Sequence, residues 1–149
     1  MKLIGSEIGA MGMGIPAGVA AALRYPNRQV FSIVGDGGAL MTGSELATAV
    51  AQKAKIRVII ANNQHYGTIR YHQEVHFPTR NHYATNLVNP DFAKYGESFG
   101  LQCFTINEVE DIIPTIQKAM AVDGPSLIEF KMSLELNTST TTLTQLQMK

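Results

Sequence analysis

The 149-residue sequence contains no tryptophan and one cysteine, Cys103. A single cysteine closes no internal disulfide, which excludes a stapled scaffold and leaves stability to a packed core. Charge is scarce too. Only 16% of residues are Asp, Glu, Lys or Arg, below the ~25% of an average globular chain, and 12 Lys plus Arg offset 12 Asp plus Glu. Such a balance offers no basic stripe for the phosphates of a duplex, so nucleic acid is not an expected ligand. No apolar run approaches the ~18–20 residues of a membrane span, and the first residues lack the basic n-region and apolar core of a secretory leader. The expectation is a cytoplasmic chain with no membrane association. What the sequence does have is apolar material, 45% of residues, enough for one domain with a real core. Apolar residues combined with so little charge predict a surface partly hidden against a partner.

Short apolar runs alternate with helical spacing. Gln29–Val34, Arg57–Ala61, Gln102–Ile106 and Ser126–Lys131 read as strands, the middle pair apolar enough for a parallel sheet covered on both faces. Ile15, Val19 and Leu23 repeat every fourth residue, as do Leu46, Val50 and Ala54, and Val109, Ile112, Ile113, Ile116 and Met120 form one apolar stripe. Asn89 before Pro90 reads as a helix cap, and Asn107 with Glu110 as a variant capping box. The alternation predicts a doubly wound α/β domain, a three-layer α/β/α sandwich on a mainly parallel sheet. Ligands of such sheets bind at the carboxyl ends of the strands, here the loops after Val34 and Ala61. Residues 65–88 are polar, hold all four histidines and read as a lid or loop. The Thr-rich tail, 137–149, reads as an extended arm that docks on another surface.

One strand ends in Gly35-Asp36-Gly37-Gly38 and the next in Asn62-Asn63, with 24 residues, 38 to 61, between the motifs. In a parallel βαβ unit both ends emerge on one edge, so Asp36 and Asn63 can meet. Their oxygens suit a hard cation, and magnesium keeps few protein carboxylates when phosphate supplies its other ligands. Gly37 and Gly38, ahead of a helix expected to begin near Thr42 or Gly43, let backbone N–H groups approach a phosphate. A magnesium diphosphate cradle results.

This pattern resembles the GDG…NN motif of thiamin diphosphate (ThDP) enzymes. Gly9-Ala10-Met11-Gly12-Met13-Gly14-Ile15-Pro16-Ala17 is similar to the GxMGxGxPA segment of their acetolactate synthase-like group, and Asn62-Asn63-Gln64-His65-Tyr66-Gly67 to its NNQHxG. Thr141-Thr142-Leu143 resembles the group's chain ends. The resemblance runs from about Gly9 onward and implies that residues 1–149 form one diphosphate-binding domain with the ThDP-binding fold. It implies that Asp36 and Asn63 bind Mg2+ by side chain and His65 by its carbonyl, and that Gly37 and Gly38 donate amides to the diphosphate. Gly9 would accept from the pyrimidine 4′-amino group, and Met11 would wedge the cofactor into its bent form, in which it can remove its own C2 proton. The implied activity is decarboxylation or carboligation of a 2-oxo acid, in the lyase or transferase class.

The family's glutamate for pyrimidine N1′ comes from a separate pyrimidine-binding domain. That domain, the family's middle domain and the first strand and helix of the diphosphate-binding domain lie outside the matching pattern, so the chain reads as N-terminally truncated relative to the family. A pyrimidine-binding partner domain or chain is therefore expected, as is a homo-oligomer, and the isolated chain is expected to be inactive. Two departures bear on substrate. His72 stands where acetolactate synthases carry tryptophan, which argues against acetolactate formation itself, and Ile69 stands where decarboxylase relatives place a proton-handling glutamate.

Two other readings compete. Gly12-Met13-Gly14-Ile15-Pro16-Ala17 fits GxGxxA, with Asp36 24 residues after Gly12, as in an NAD-binding Rossmann domain. The segment before it is a poor strand, however, and an acid that reads a ribose has no need of flanking glycines. A non-catalytic interaction module would carry damaged ligand positions, yet Asp36 and Asn63 are intact. Cys103 lies mid-strand and reads as an inert buried thiol, Glu45 as a capping or solvated residue. His72 and His76 have zinc-like spacing but no convincing helix around them and no third ligand.

Overall fold

A computed structural model describes residues 9–77, 82–135 and 142–147. Four parallel strands form one sheet: β1 (Val30–Gly35), β2 (Ile56–Asn62), β3 (Gln102–Ile106) and β4 (Ser126–Lys131), in the order β1-β2-β4-β3. All four expected strands are present, within a residue or so at each end. The central pair is β2 and β4, and β3 lies at an edge.

Helices cover both faces, as the three-layer sandwich requires. On one face, α1 (Gly14–Arg24), α2 (Asp36–Thr42), α3 (Leu46–Ala51) and α5 (Phe92–Ser98) enclose a core of Ile15, Val19, Leu46, Ile56, Val58, Ile60, Phe92 and Leu127. On the other, α6 (Ile112–Met120) packs over β3 and β4 through Ile106, Ala119 and Ile128. Alternation along β4 sends Leu127 to the first core and Ile128 to the second. The stripe expected on α6 is only half used: Ile112 and Ile116 pack inward, while Val109 is 74% and Ile113 69% exposed. Over β1 this face is open, and Ile33 is 72% exposed. Among the described residues no helix is long and apolar enough to cross a membrane.

Several expected boundaries move, each for a local reason. The helix placed near Thr42 begins at Asp36, because the Asp36 carboxylate accepts the N–H of Gly37 and starts the turn immediately after β1. The helical run through Ala54 stops at Ala51, and Ala54 is buried beyond it. Asn89 caps nothing. Asp91 caps α5 instead, accepting from Lys94 N at 3.0 Å. Asn107 likewise does not cap; Val109–Asp111 form a 3-10 turn before α6, and neither helix start carries a side-chain cap bond.

The 65–88 segment is not a loop throughout. It contains α4 (Gly67–His76), whose internal pair Arg70 and Glu74, 3.1 Å apart and both buried, stabilises a helix that no apolar stripe announces. His72 and His76 thus do sit on a helix, with stacked rings 5.6 Å apart, but among the described residues no three ligating side chains gather. The tail is not an extended arm over Leu143–Gln147, which form α7. Leu143 and Leu146 are buried, α7 packs against α4, and Glu135 accepts from Thr144 N and Oγ1. Residues 137–141 and 148–149 of that expected arm lie outside the described residues.

Arg57, fully buried on β2, ties α6 to the sheet. Its Nη1 donates to the carbonyls of Ile56 and Gly124, and its Nη2 to those of Val122 (2.7 Å) and Met120 (3.4 Å). The oxygens of Met120, Val122 and Gly124 end α6 and form the turn into β4, where helix carbonyls lack intrahelical donors. Burial lowers the guanidinium pKa from its ordinary value, and Asp123 opposes that shift. Arg57→Ala should strand these carbonyls and lower the unfolding free energy by about 3 kcal/mol, read as a lower urea midpoint at unchanged slope; a midpoint equal to that of the parent protein would refute this role.

Candidate functional site

Helix α1 approaches β1 closely because two of its turns carry no side chain toward the strand. A Cβ on Gly18 would stand 2.6 Å from Ile56 Cδ1 and 2.9 Å from Ser32 Cβ, and one on Gly14 would collide with Val34 Cγ1. Ser32 Oγ donates to the Gly14 carbonyl at 2.8 Å and locks the contact. The glycine loop before α1 is therefore carried to the carboxyl end of β1. There Gly12, at φ +82°, accepts from Thr42 Oγ1 at 2.6 Å, which ties the loop to the end of α2.

Asp36 stands at this junction, 2% exposed. Its Oδ1 accepts from Gly37 N (2.8 Å); its Oδ2 accepts from Gln64 N (2.7 Å) and Asn89 Nδ2 (2.7 Å). Among the described residues no Lys, Arg or His forms an ion pair with it, so the charge is held by N–H groups alone. After β2 the chain turns through Gln64 at φ +59°. The 85–89 stretch braces this turn, through Tyr66 N to Thr85 O and Leu87 N to Gln64 O, both 2.8 Å.

A cavity of about 320 Å³ opens between these elements at the carboxyl end of β1. Five of the seven expected site residues line it: Met11, Asp36, Gly37, Gly38 and His65. Gly9 and Asn63 do not. Gly9, at φ +67°, is exposed, and Asn63 turns its Oδ1 to His65 N (3.2 Å) while its carbonyl meets His65 Nδ1 at 2.6 Å. Asp36 and Asn63 thus come to neighbouring parts of one turn with no direct bond between them. The Tyr66 ring lies over Gly37, where a Cβ would stand 2.5 Å from Cε1, so only glycine fits beneath it. Met11, Ile33 and Ile69 stand at the cavity with 46%, 72% and 47% of their surfaces exposed, an apolar rim.

Sequence reasoning missed Asn89 and Glu129 altogether and gave Asn62 no role beside Asn63. The signal for Glu129 was available, a lone acid within the apolar strand Ser126–Lys131, and Glu129 is 3% exposed. Asn89 was masked by the proline after it, which made it look like a cap.

The family described as "Thiamine pyrophosphate enzyme, C-terminal TPP binding domain" matches residues 3–130. The putative thiamine pyrophosphate-containing protein YdaP of Bacillus subtilis (strain 168) is 35% identical over 133 residues, covering 89% of this chain and 23% of that protein. The acetolactate synthase large subunit of Porphyra purpurea is 32% identical over 127 residues, 85% of this chain and 22% of that one. Among solved structures, the thiamine diphosphate-dependent 4-hydroxybenzoylformate decarboxylase of Rhodococcus jostii RHA1 superposes with a TM-score of 0.79 at 32% identity, over 85% of this chain and 24% of that chain. The chain thus spans less than a quarter of the length of these relatives. The nicotinamide reading falls with these matches.

Two side chains that could suggest other chemistry are accounted for. Glu45, in the 3-10 turn just before α3, accepts from Thr48 Oγ1 at 3.0 Å on the surface. Cys103 is half-buried between α5 and β3, its Sγ 2.6 Å from where a Gly96 Cβ would stand, and burial, with the Glu97 charge adding, pushes its thiol up to about 12. A thiol that far above neutrality carries almost no thiolate. Iodoacetamide at pH 8 should leave Cys103 unmodified in the folded protein and alkylate it in denaturant, as mass spectrometry would show; fast labelling of the folded chain would restore it as a candidate nucleophile.

Proposed function

The chain belongs to the family of C-terminal, TPP-binding domains of thiamine pyrophosphate (ThDP) enzymes, and from that membership we propose that its cavity holds the diphosphate of ThDP through Mg2+ in a 2-oxo acid decarboxylase or carboligase. The observation that carries this reading is Asp36: a buried carboxylate, with no ion pair to a cationic side chain among the described residues, at a cavity lined by Gly35, Gly37 and Gly38. The donor set suits magnesium in kind: Asp36 brings a carboxylate oxygen and His65 a backbone carbonyl to the cavity, and Asn63, whose Oδ1 now accepts from His65 N, would add an amide oxygen by turning toward it, all hard ligands. Space fits as well. A Cβ on Gly38 would find Gly12 N, at 3.7 Å, as its nearest neighbour, which leaves room beside the first turn of α2 for a phosphate. In this arrangement Gly37 and Gly38 would supply backbone to the diphosphate, Met11 would support the bend of the cofactor and the Gly9 carbonyl would serve its pyrimidine end.

ThDP supplies, when bound, the electron sink that lets a 2-oxo acid lose carbon dioxide. This chain's residues bind and orient. Among the described residues Asp36 is the one acid that lines the cavity, and it accepts from Gly37, Gln64 and Asn89, so no carboxylate of this chain is placed there to act on the pyrimidine. The glutamate for N1′ would come from a pyrimidine-binding domain or a second chain covering the apolar rim of Met11, Ile33 and Ile69, and self-association through that rim is part of the same reading.

ThDP should bind the chain in calorimetry only with Mg2+ present, and Asp36→Ala should abolish the heat of binding. Binding unchanged by a chelator would overturn the magnesium cradle, and tight NAD binding would overturn the cofactor assignment. In deuterium exchange followed by NMR, the chain alone should release the C2 proton of ThDP no faster than free cofactor does; rapid exchange would mean that a residue of this chain replaces the partner's glutamate.

A further inference from the structure

The Asp36 carboxylate is connected across the carboxyl end of the sheet to a second buried acid. Asn89 Nδ2 donates both to Asp36 Oδ2 (2.7 Å) and to Asn62 Oδ1 (2.8 Å), and Asn62 Nδ2 donates to Glu129 Oε1 (2.7 Å). Asp36, Asn62 and Glu129 are 2%, 7% and 3% exposed. Four side chains, from the β1–α2 junction, β2, β4 and the segment before α5, thus form one line of hydrogen bonds.

The line has a direction, set at its far end. Glu129 Oε1 accepts the NH2 of Asn62, which leaves the Asn62 oxygen facing Asn89, with the backbone N–H of Gln64 3.3 Å from the same oxygen. That oxygen in turn draws the NH2 of Asn89, whose same nitrogen reaches Asp36. Were Asn89 turned over, its oxygen would face two acceptors. The orientation is held even though Asn89 Oδ1 is buried without a hydrogen-bond partner among the described residues. At Asp36 the result is asymmetric: Oδ2 receives two N–H groups, from Gln64 and Asn89, whereas Oδ1 receives one, from Gly37. Each carboxylate oxygen accepts about two such bonds, so Oδ1 keeps a lone pair for another ligand.

We propose that Glu129, Asn62 and Asn89 are positioning residues that fix the rotation of the Asp36 carboxylate and present Oδ1 to the magnesium ion. The inference rests on the magnesium reading of the cavity and goes beyond it by assigning a function to three side chains that touch neither metal nor cofactor. Outer partners of this kind commonly change metal affinity by about 10–100-fold.

Mg2+ titrated calorimetrically into the full chain with saturating ThDP tests it, together with the Mn2+ EPR spectrum of the same samples. Asn89→Ala should weaken the metal by about tenfold or more and broaden the Mn2+ signal. Glu129→Leu should do the same, whereas Glu129→Gln, which keeps an oxygen for Asn62, should stay within about threefold of the parent. Because the residues act in series, Asn89→Ala combined with Glu129→Leu should bind metal about as well as Asn89→Ala alone. Asn89 is only half-buried, so its variant decides the matter if Glu129→Leu does not fold. Metal affinity and EPR signal unchanged in Asn89→Ala, alongside loss of binding in Asp36→Ala, would overturn the positioning role and leave the magnesium reading standing. Unchanged metal binding in Asp36→Ala would overturn the magnesium reading itself.

Discussion

Asp36 joins the ends of two strands. One oxygen takes the N–H that opens α2, the other takes the N–H of Gln64 just past β2, so a single carboxylate sets where both strands release the chain. Bonds of this sort to a charged acceptor are stronger than neutral ones, and burial strengthens them further. They hold Gln64 in a left-handed conformation that costs a non-glycine residue roughly 1 kcal/mol or more. With Gln64 so held, His65 and Tyr66 are delivered to the cavity, the Tyr66 ring closes over Gly37, and the 85–89 stretch is aligned to brace the turn.

The opposite wall depends on missing side chains. Gly14 and Gly18 let α1 lie against Ser32 and Ile56 with backbone nearly touching strand, and that contact rather than any charge determines how far the glycine loop reaches over Asp36. Thr42 then fastens the loop at Gly12. The cavity is thus bounded on one side by a polar junction and on the other by a steric fit. The two are linked through β1, whose residues Ser32 and Val34 meet the helix while Gly35 leads into Asp36.

The strands were legible because parallel strands buried on both faces leave short, dense apolar runs, and Ile56–Asn62 and Ser126–Lys131 are of that kind. The GDG and NN motifs were legible because their spacing follows from one βαβ crossover. What could not be read was set by contacts between distant segments. Helix α4 depends on a buried ion pair and on packing against α7, not on an apolar stripe, and so it resembled a loop. Asn89 depends on Asp36 and Asn62, neither near it in sequence, and without those partners it could only look like a cap for the next helix. Glu129 stood out as an acid in an apolar strand, but its partner on β2 becomes visible only once β2 and β4 are known to be neighbours.

That neighbour relation bears on the order of assembly. β4, the last of the four strands among the described residues, lies in the interior of the sheet, between β2 and β3, and among those residues β3 pairs with no other strand. A growing polypeptide that has not yet released residues 126–131 can hold β1 against β2, but it must leave β3 without a ladder and Asn62 without Glu129. Closing so long a loop before any of these contacts forms is slow in entropic terms. The sheet therefore completes from its middle, once residues 126–131 are available, and the polar line that ends on Asp36 matures in the same event that brings β4 between β2 and β3.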